Sequence, residues 1–204
     1  MMRSSARGPG QLDTSAGHRG TVQNSRDSYT TGGSTIQMAG KADFTSEEWG
    51  KILQSIMFVG IAVSAAEPSG LFGLLKEGMA SARALVAAKA DPSADELVKA
   101  AVTDFETSEG RAVVREGVAS NIVGSTPAQI SDKAIEALHQ ASSVLDAKAP
   151  ADSLAFKTWL RHIAESVADA SKEGGLLGFG GVRVSDAEKA SLGKISAALN
   201  LPDP

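Results

Sequence analysis

The stretch Phe44–Glu67, FTSEEWGKILQSIMFVGIAVSAAE, decides how the rest of the chain is read. Thr45 and Glu48 stand at the spacing where a threonine hydroxyl and a glutamate carboxylate cap each other's backbone N–H groups at a helix start. Phe44 stands where a hydrophobic staple would pack on the first turn. Trp49, Ile52, Leu53, Ile56, Met57 and Val63 recur at helical spacing and share one face. Phe58, Val59 and Ile61 fall off that face, so the second half of the helix is apolar nearly all round. A helix of that kind belongs at the centre of a bundle.

The same grammar repeats toward the C-terminus. Pro68-Ser-Gly70 ends the first helix, and Leu71, Leu74, Leu75, Met79, Ala82, Leu85 and Val86 stripe a second, closed by Asp91-Pro92. Ser93 and Glu96 give another capping-box spacing before Leu97, Val98, Ala101, Val102 and Phe105. The helix after Thr107 is weaker, since each internal glycine, Gly110 and Gly117, costs about 1 kcal/mol against alanine. Thr126, Pro127 and Gln129 mark a strong start, with Pro at the first helical position. Ile130, Ala134, Leu138, Ala141 and Leu145 then face inward. After Pro150, Phe156, Leu160, Ile163 and Val167 form a stripe with Trp159 beside it. Ser185 and Glu188 open the last helix, which buries Leu192, Ile195 and Leu199. The expectation is an all-α fold, one bundle of about seven helices over 43–204 with no sheet.

Residues 1–42 read differently. They are rich in Gly, Ser, Thr and Arg and have no apolar periodicity, so a disordered tail is expected. Up to residue 40, Arg3, Arg7, Arg19 and Arg26 stand against Asp13 and Asp27, a net of +2. With −4 for the whole chain, the remainder carries −6. Met38-Ala-Gly-Lys, just before the first helix signal, also has the form of a translation start.

An acidic body with a pI near 5.4 argues against electrostatic nucleic-acid binding. No cysteine is present, which removes thiolate metal sites, disulfides and cysteine nucleophiles from consideration. The longest uncharged run, Ile52 to Ala66, is shorter than the roughly 20 residues a bilayer-spanning helix needs. A cytoplasmic location is the default expectation, and the acidic body makes a membrane surface an unfavourable partner.

Two glycine turns stand out. Gly70-Leu71-Phe72-Gly73-Leu74 and Gly175-Leu176-Leu177-Gly178-Phe179 share the pattern Gly-apolar-apolar-Gly-apolar, each shortly after a glutamate, Glu67 and Glu173. They suggest a pseudo-twofold helical repeat whose two turns form one contact site for a ligand or partner, assisted by Arg183. Neither turn is a phosphate-binding loop, because no Gly-Lys-Ser/Thr follows and no strand precedes.

The segment Lys172-Glu-Gly, then Val182-Arg-Val-Ser-Asp-Ala-Glu-Lys-Ala-Ser-Leu192, resembles the acidic-Gly and Val-Ser-x-x-Glu helix start of the tellurite-resistance TerB family. The likeness covers about 25 residues plus the helix count. It departs from the family in having Glu173-Gly174 for Asp-Gly and in the glycines that intervene. The resemblance implies an all-helical, stress-associated protein that binds a divalent metal through acidic residues. Glu67, Glu173, Asp186 and Glu188 are the ligand candidates here, and oxygen-only ligands would favour a hard ion such as calcium.

Other chemistry is sparse. His162 and Glu165 have the i, i+3 spacing of di-metal carboxylate bundles, but those need two such pairs and inward glutamates. His162 and His139 therefore read as solvated helix faces. Glu47-Glu48 and Asp95-Glu96 fall at helix starts, where carboxylates favour the macrodipole. No serine-hydrolase elbow and no nucleotide or pyridoxal signature is seen. The expectation is a helical protein without catalysis or cofactor, acting through a protein partner or as a homo-oligomer. Metal binding and membrane-surface contact are the alternatives.

Overall fold

The computed structural model describes residues 28–31, 34–65, 85, 87–172 and 186–202. The helix starts Thr45 and Thr126 form as their sequences predict. The Thr45 N–H donates to Glu48 Oε2 at 2.8 Å and the Glu48 N–H to Thr45 Oγ1 at 3.2 Å, opening α1, Ser46–Ser64. Phe44 staples the first turn, its ring centroid 5.6 Å from that of Trp49. Ile52, Leu53, Ile56, Phe58, Val59, Ala62 and Val63 are fully enclosed, and α1 touches every later helix described below. A side chain of that size contributes about 1.5–3 kcal/mol when taken from water, so the all-round apolar pattern is what places α1 at the centre. Met57, expected inward, is instead 40% exposed, at an edge of α1 that the packed helices leave open.

Four further helices precede the last one. α2 spans Glu96–Phe105, α3 Ser108–Ile122, α4 Pro127–Lys148 and α5 Pro150–Lys172; α6 spans Asp186–Ala198. Helical residues at 85 and 87–90 belong to another helix between α1 and α2, which makes seven among the described residues. The inward stripes of α4, α5 and α6 hold: Ala134, Leu138, Ala141, Leu145, Phe156, Leu160, Ile163, Val167, Leu192, Ile195 and Leu199 are buried. Ile130 and Phe105 are half-buried. The break between α4 and α5 falls at Ala149, immediately before Pro150, whose ring disfavours helical geometry in the preceding residue. The chain leaves α6 through Asn200 in the left-handed region, at φ 54°, with the Leu201 N–H donating to the Ser196 carbonyl at 2.9 Å.

Two local readings change. The cap of α2 is Asp95, whose Oδ1 accepts from Leu97 N at 2.9 Å and Val98 N at 3.4 Å. Ser93 is taken up one turn earlier, donating through N and Oγ to Asp91 Oδ1 at 2.8 and 2.6 Å. Aspartate at both positions outcompetes serine because a carboxylate accepts more strongly. The glycines of α3 are contact points rather than mere weaknesses. A Cβ on Gly110 would lie 2.0 Å from the Asp104 carbonyl oxygen, and one on Gly117 would meet the end of the Gln54 side chain at 2.1 Å. Their absence of a side chain is what lets the α2–α3 corner close and α3 lie against α1.

Ahead of the helical body, Ser28–Thr31 pairs antiparallel with Ser34–Gln37, Tyr29 opposite Ile36. The Thr- and Tyr-bearing run that this hairpin uses was passed over as tail. A short strap then joins the body: Ala39 is buried, Lys41–Asp43 forms one turn of 3-10 helix, and Lys41 Nζ pairs with Asp104 at 2.9 Å. The body thus takes in residues from Ala39 onward.

Candidate functional site

The glycine turns lie outside the described residues, Gly70, Leu71, Phe72 and Gly73 as well as Gly175, Leu176, Leu177, Gly178, Phe179 and Arg183. Of the metal candidates, Glu67 and Glu173 also lie outside, as does the side chain of Glu188. Asp186 is exposed, 3.9 Å from Lys189. Among the described residues no group of three or more histidine or acidic side chains is placed to hold a metal ion. His162 is 70% exposed, 3.8 Å from Glu165, on the solvated face that its flanking position implied.

The structure draws attention elsewhere, to the ends of α2 and α5. Asp95 caps α2. Asp152 sits in the first turn of α5 and is only 1% exposed. Its Oδ2 accepts the buried Ala39 N–H at 2.9 Å, fastening the strap across 113 residues of sequence. Its Oδ1 is buried with no such partner among protein donors, a condition that costs roughly 1–3 kcal/mol unless relieved. Burial pushes the Asp95 carboxyl up to about 6, and the Asp152 charge and a side-chain hydrogen bond between the two carboxyls add to it, against the N–H groups of Leu97 and Val98. Like charges brought together in a poorly solvated place favour retention of one proton.

Beside this pair runs a groove of about 380 Å³, lined by Ala87, Ala94, Val98 and Ala155, with Asp91, Asp95, Trp159 and His162 as its polar or aromatic members. Trp159 packs edge-on against Phe156, centroids 5.3 Å apart, and its indole N–H is buried without a partner. Leu154, one turn before Thr158 on the same helix, is 67% exposed. A second groove, near Lys41, differs in that its charges are already paired, Lys41 with Asp104 and Lys99 with Glu96 at 2.8 Å. The groove at Asp95 is the one that combines an apolar floor, a perturbed carboxyl and unpaired polar atoms, the features that mark binding sites.

Sequence reasoning placed Asp95 at a helix start and stopped there. The partner residue is 57 positions away, and nothing local to either aspartate announces the other. The buried Lys157 escaped it too. That lysine, 4% exposed, interrupts the apolar stripe of α5 and reaches Asp146 at 2.6 Å, where Ser153 also donates.

No family model, curated protein or solved structure matches the chain.

Proposed function

We propose that this chain acts without catalysis, through contact with another protein, and that the groove between 87–98 and α5 is the contact face. The observation that carries the reading is an apolar-floored groove whose rim is acidic, at Asp91 and Asp95, with the exposed Leu154 beside it. Asp91 is held ionised below its ordinary range by the hydroxyl and N–H of Ser93. The body that carries this face has a net charge of −6, counted over 41–204. Its electrostatic complement is a segment bearing lysine or arginine next to an apolar side chain. Keeping a second carboxyl beside Asp152 costs folding stability, a pattern common where a site is kept for binding rather than for packing.

The test is site-specific photocrosslinking in the native cell, with the crosslinker at Thr158 on the groove and, as control, at Glu109 on α3. The reading expects one protein joined at Thr158 and not at Glu109, through a segment containing Lys or Arg. That segment, made as a peptide, should bind wild type and lose most of its affinity at high salt, since exposed charge contacts are screened within about 8 Å at physiological ionic strength. Equal adducts at both positions, or none at Thr158, would refute it.

A further inference from the structure

We infer that Asp95 and Asp152 share one proton across the gap between α2 and α5, and that this proton keeps the strap at Ala39 fastened to the bundle. The four carboxyl oxygens divide the work. Asp95 Oδ1 is occupied by the N–H groups of Leu97 and Val98. Asp152 Oδ2 is occupied by the Ala39 N–H. Asp152 Oδ1 is buried and lacks a donor. Asp95 Oδ2 is left, and two carboxyls can hydrogen-bond each other only if one is protonated. A proton on Asp95 Oδ2 donates to Asp152 Oδ1 and satisfies the orphaned acceptor.

Loss of that proton leaves two negative charges in contact. Asp95 is held by two backbone N–H groups at the end of α2, whereas Asp152 is held by one, from the strap. Asp152 is therefore the group that moves, and Ala39 loses its acceptor. The release stops at Lys41, because the Lys41–Asp104 pair and the packing of Phe44 on Trp49 are independent of it. What is freed is residues 38–40 and the attachment of the hairpin 28–37 that precedes them.

The surrounding charges leave the pair to itself. Asp91 is engaged by Ser93, Glu96 and Lys99 by each other, and Asp43 accepts the Gly40 N–H at 2.8 Å. From α1 the nearest end charge, Glu48, pairs with Lys148 at 3.4 Å. His162 lines the groove from α5 and is the one other group whose titration needs separating.

The experiment uses the full chain, following amide exchange protection at Ala39 by nuclear magnetic resonance as pH is raised from about 5 to about 7.5, across the raised Asp95 value. Wild type is expected to lose about tenfold in protection, the change that one pK unit of coupling produces. Asp95→Asn, whose amide can donate to Asp152 Oδ1 while its oxygen keeps the cap, should hold protection constant. His162→Gln should behave as wild type. Asp152→Asn should bring the Asp95 midpoint down toward the ordinary carboxylate range. Constant protection in wild type, an equal fall in Asp95→Asn, or a fall that His162→Gln abolishes would overturn the inference. These outcomes concern the strap alone, so they stand whether or not the groove binds a partner.

Discussion

Replacing Asp95 by asparagine should stabilise the protein at neutral pH and do almost nothing in mild acid. Asparagine caps a helix as well as aspartate, so the N-terminus of α2 is preserved. The carboxyl it removes is raised from 3.8 to about 6 by burial first and by Asp152 second. An acid that binds its proton more tightly folded than unfolded loses stability as pH rises between those two values. The folded state holds the proton in that window and the unfolded state does not. A two-unit shift would correspond to nearly 3 kcal/mol, but Asp95 is only half-buried, and solvent screening brings the expectation to about 1 kcal/mol. The assay is urea unfolding of both proteins at about pH 4 and about pH 8, with stability taken from the midpoint and slope. The variant should exceed wild type by about 1 kcal/mol at the higher pH and match it within a few tenths at the lower. A variant less stable than wild type at about pH 8 would show that Asp95 is held ionised by favourable contacts, and the reasoning would fail.

Other expectations follow from the packing. Gly110→Ala should cost about 1–3 kcal/mol despite the gain of about 1 in helix propensity, because the new methyl meets a backbone carbonyl that cannot swing away. Gly117→Ala should fall within about 0.5 kcal/mol of wild type, since its obstacle is the free end of Gln54; the same urea assay separates the two. Thr45→Ala removes both halves of the capping box and should cost about 1 kcal/mol, read as a lower thermal midpoint. Lys157→Met keeps the buried stem and removes the charge that reaches Asp146, which remains partly solvated; a loss of about 1–2 kcal/mol is expected in thermal unfolding.

The fold was legible in the sequence because its signals are local. Thr45 with Glu48, Thr126 with Pro127 and Gln129, and the apolar spacing of Phe156, Leu160, Ile163 and Val167 each depend on residues within a few turns. The all-round apolar run of α1 even gave its central position. What was missed depends on distance. Met57 fits the stripe, yet its exposure is set by where the neighbouring helices end. Gly110 reads as a defect until Asp104 is seen folded back against it. Asp95 and Asp152 read as two ordinary helix-start acids, and only the crossing of α2 and α5 puts them against each other and against Ala39.

The proton on Asp95 underlies both the stability prediction and the fastening of the strap, and it can be observed without any variant. Carbon-13 labelling of the aspartate side chains allows the Asp95 carboxyl to be followed through a pH titration of the intact chain. The account predicts a midpoint at about 6, raised by burial and by Asp152. A midpoint at or below the ordinary aspartate value of 3.8 would contradict it.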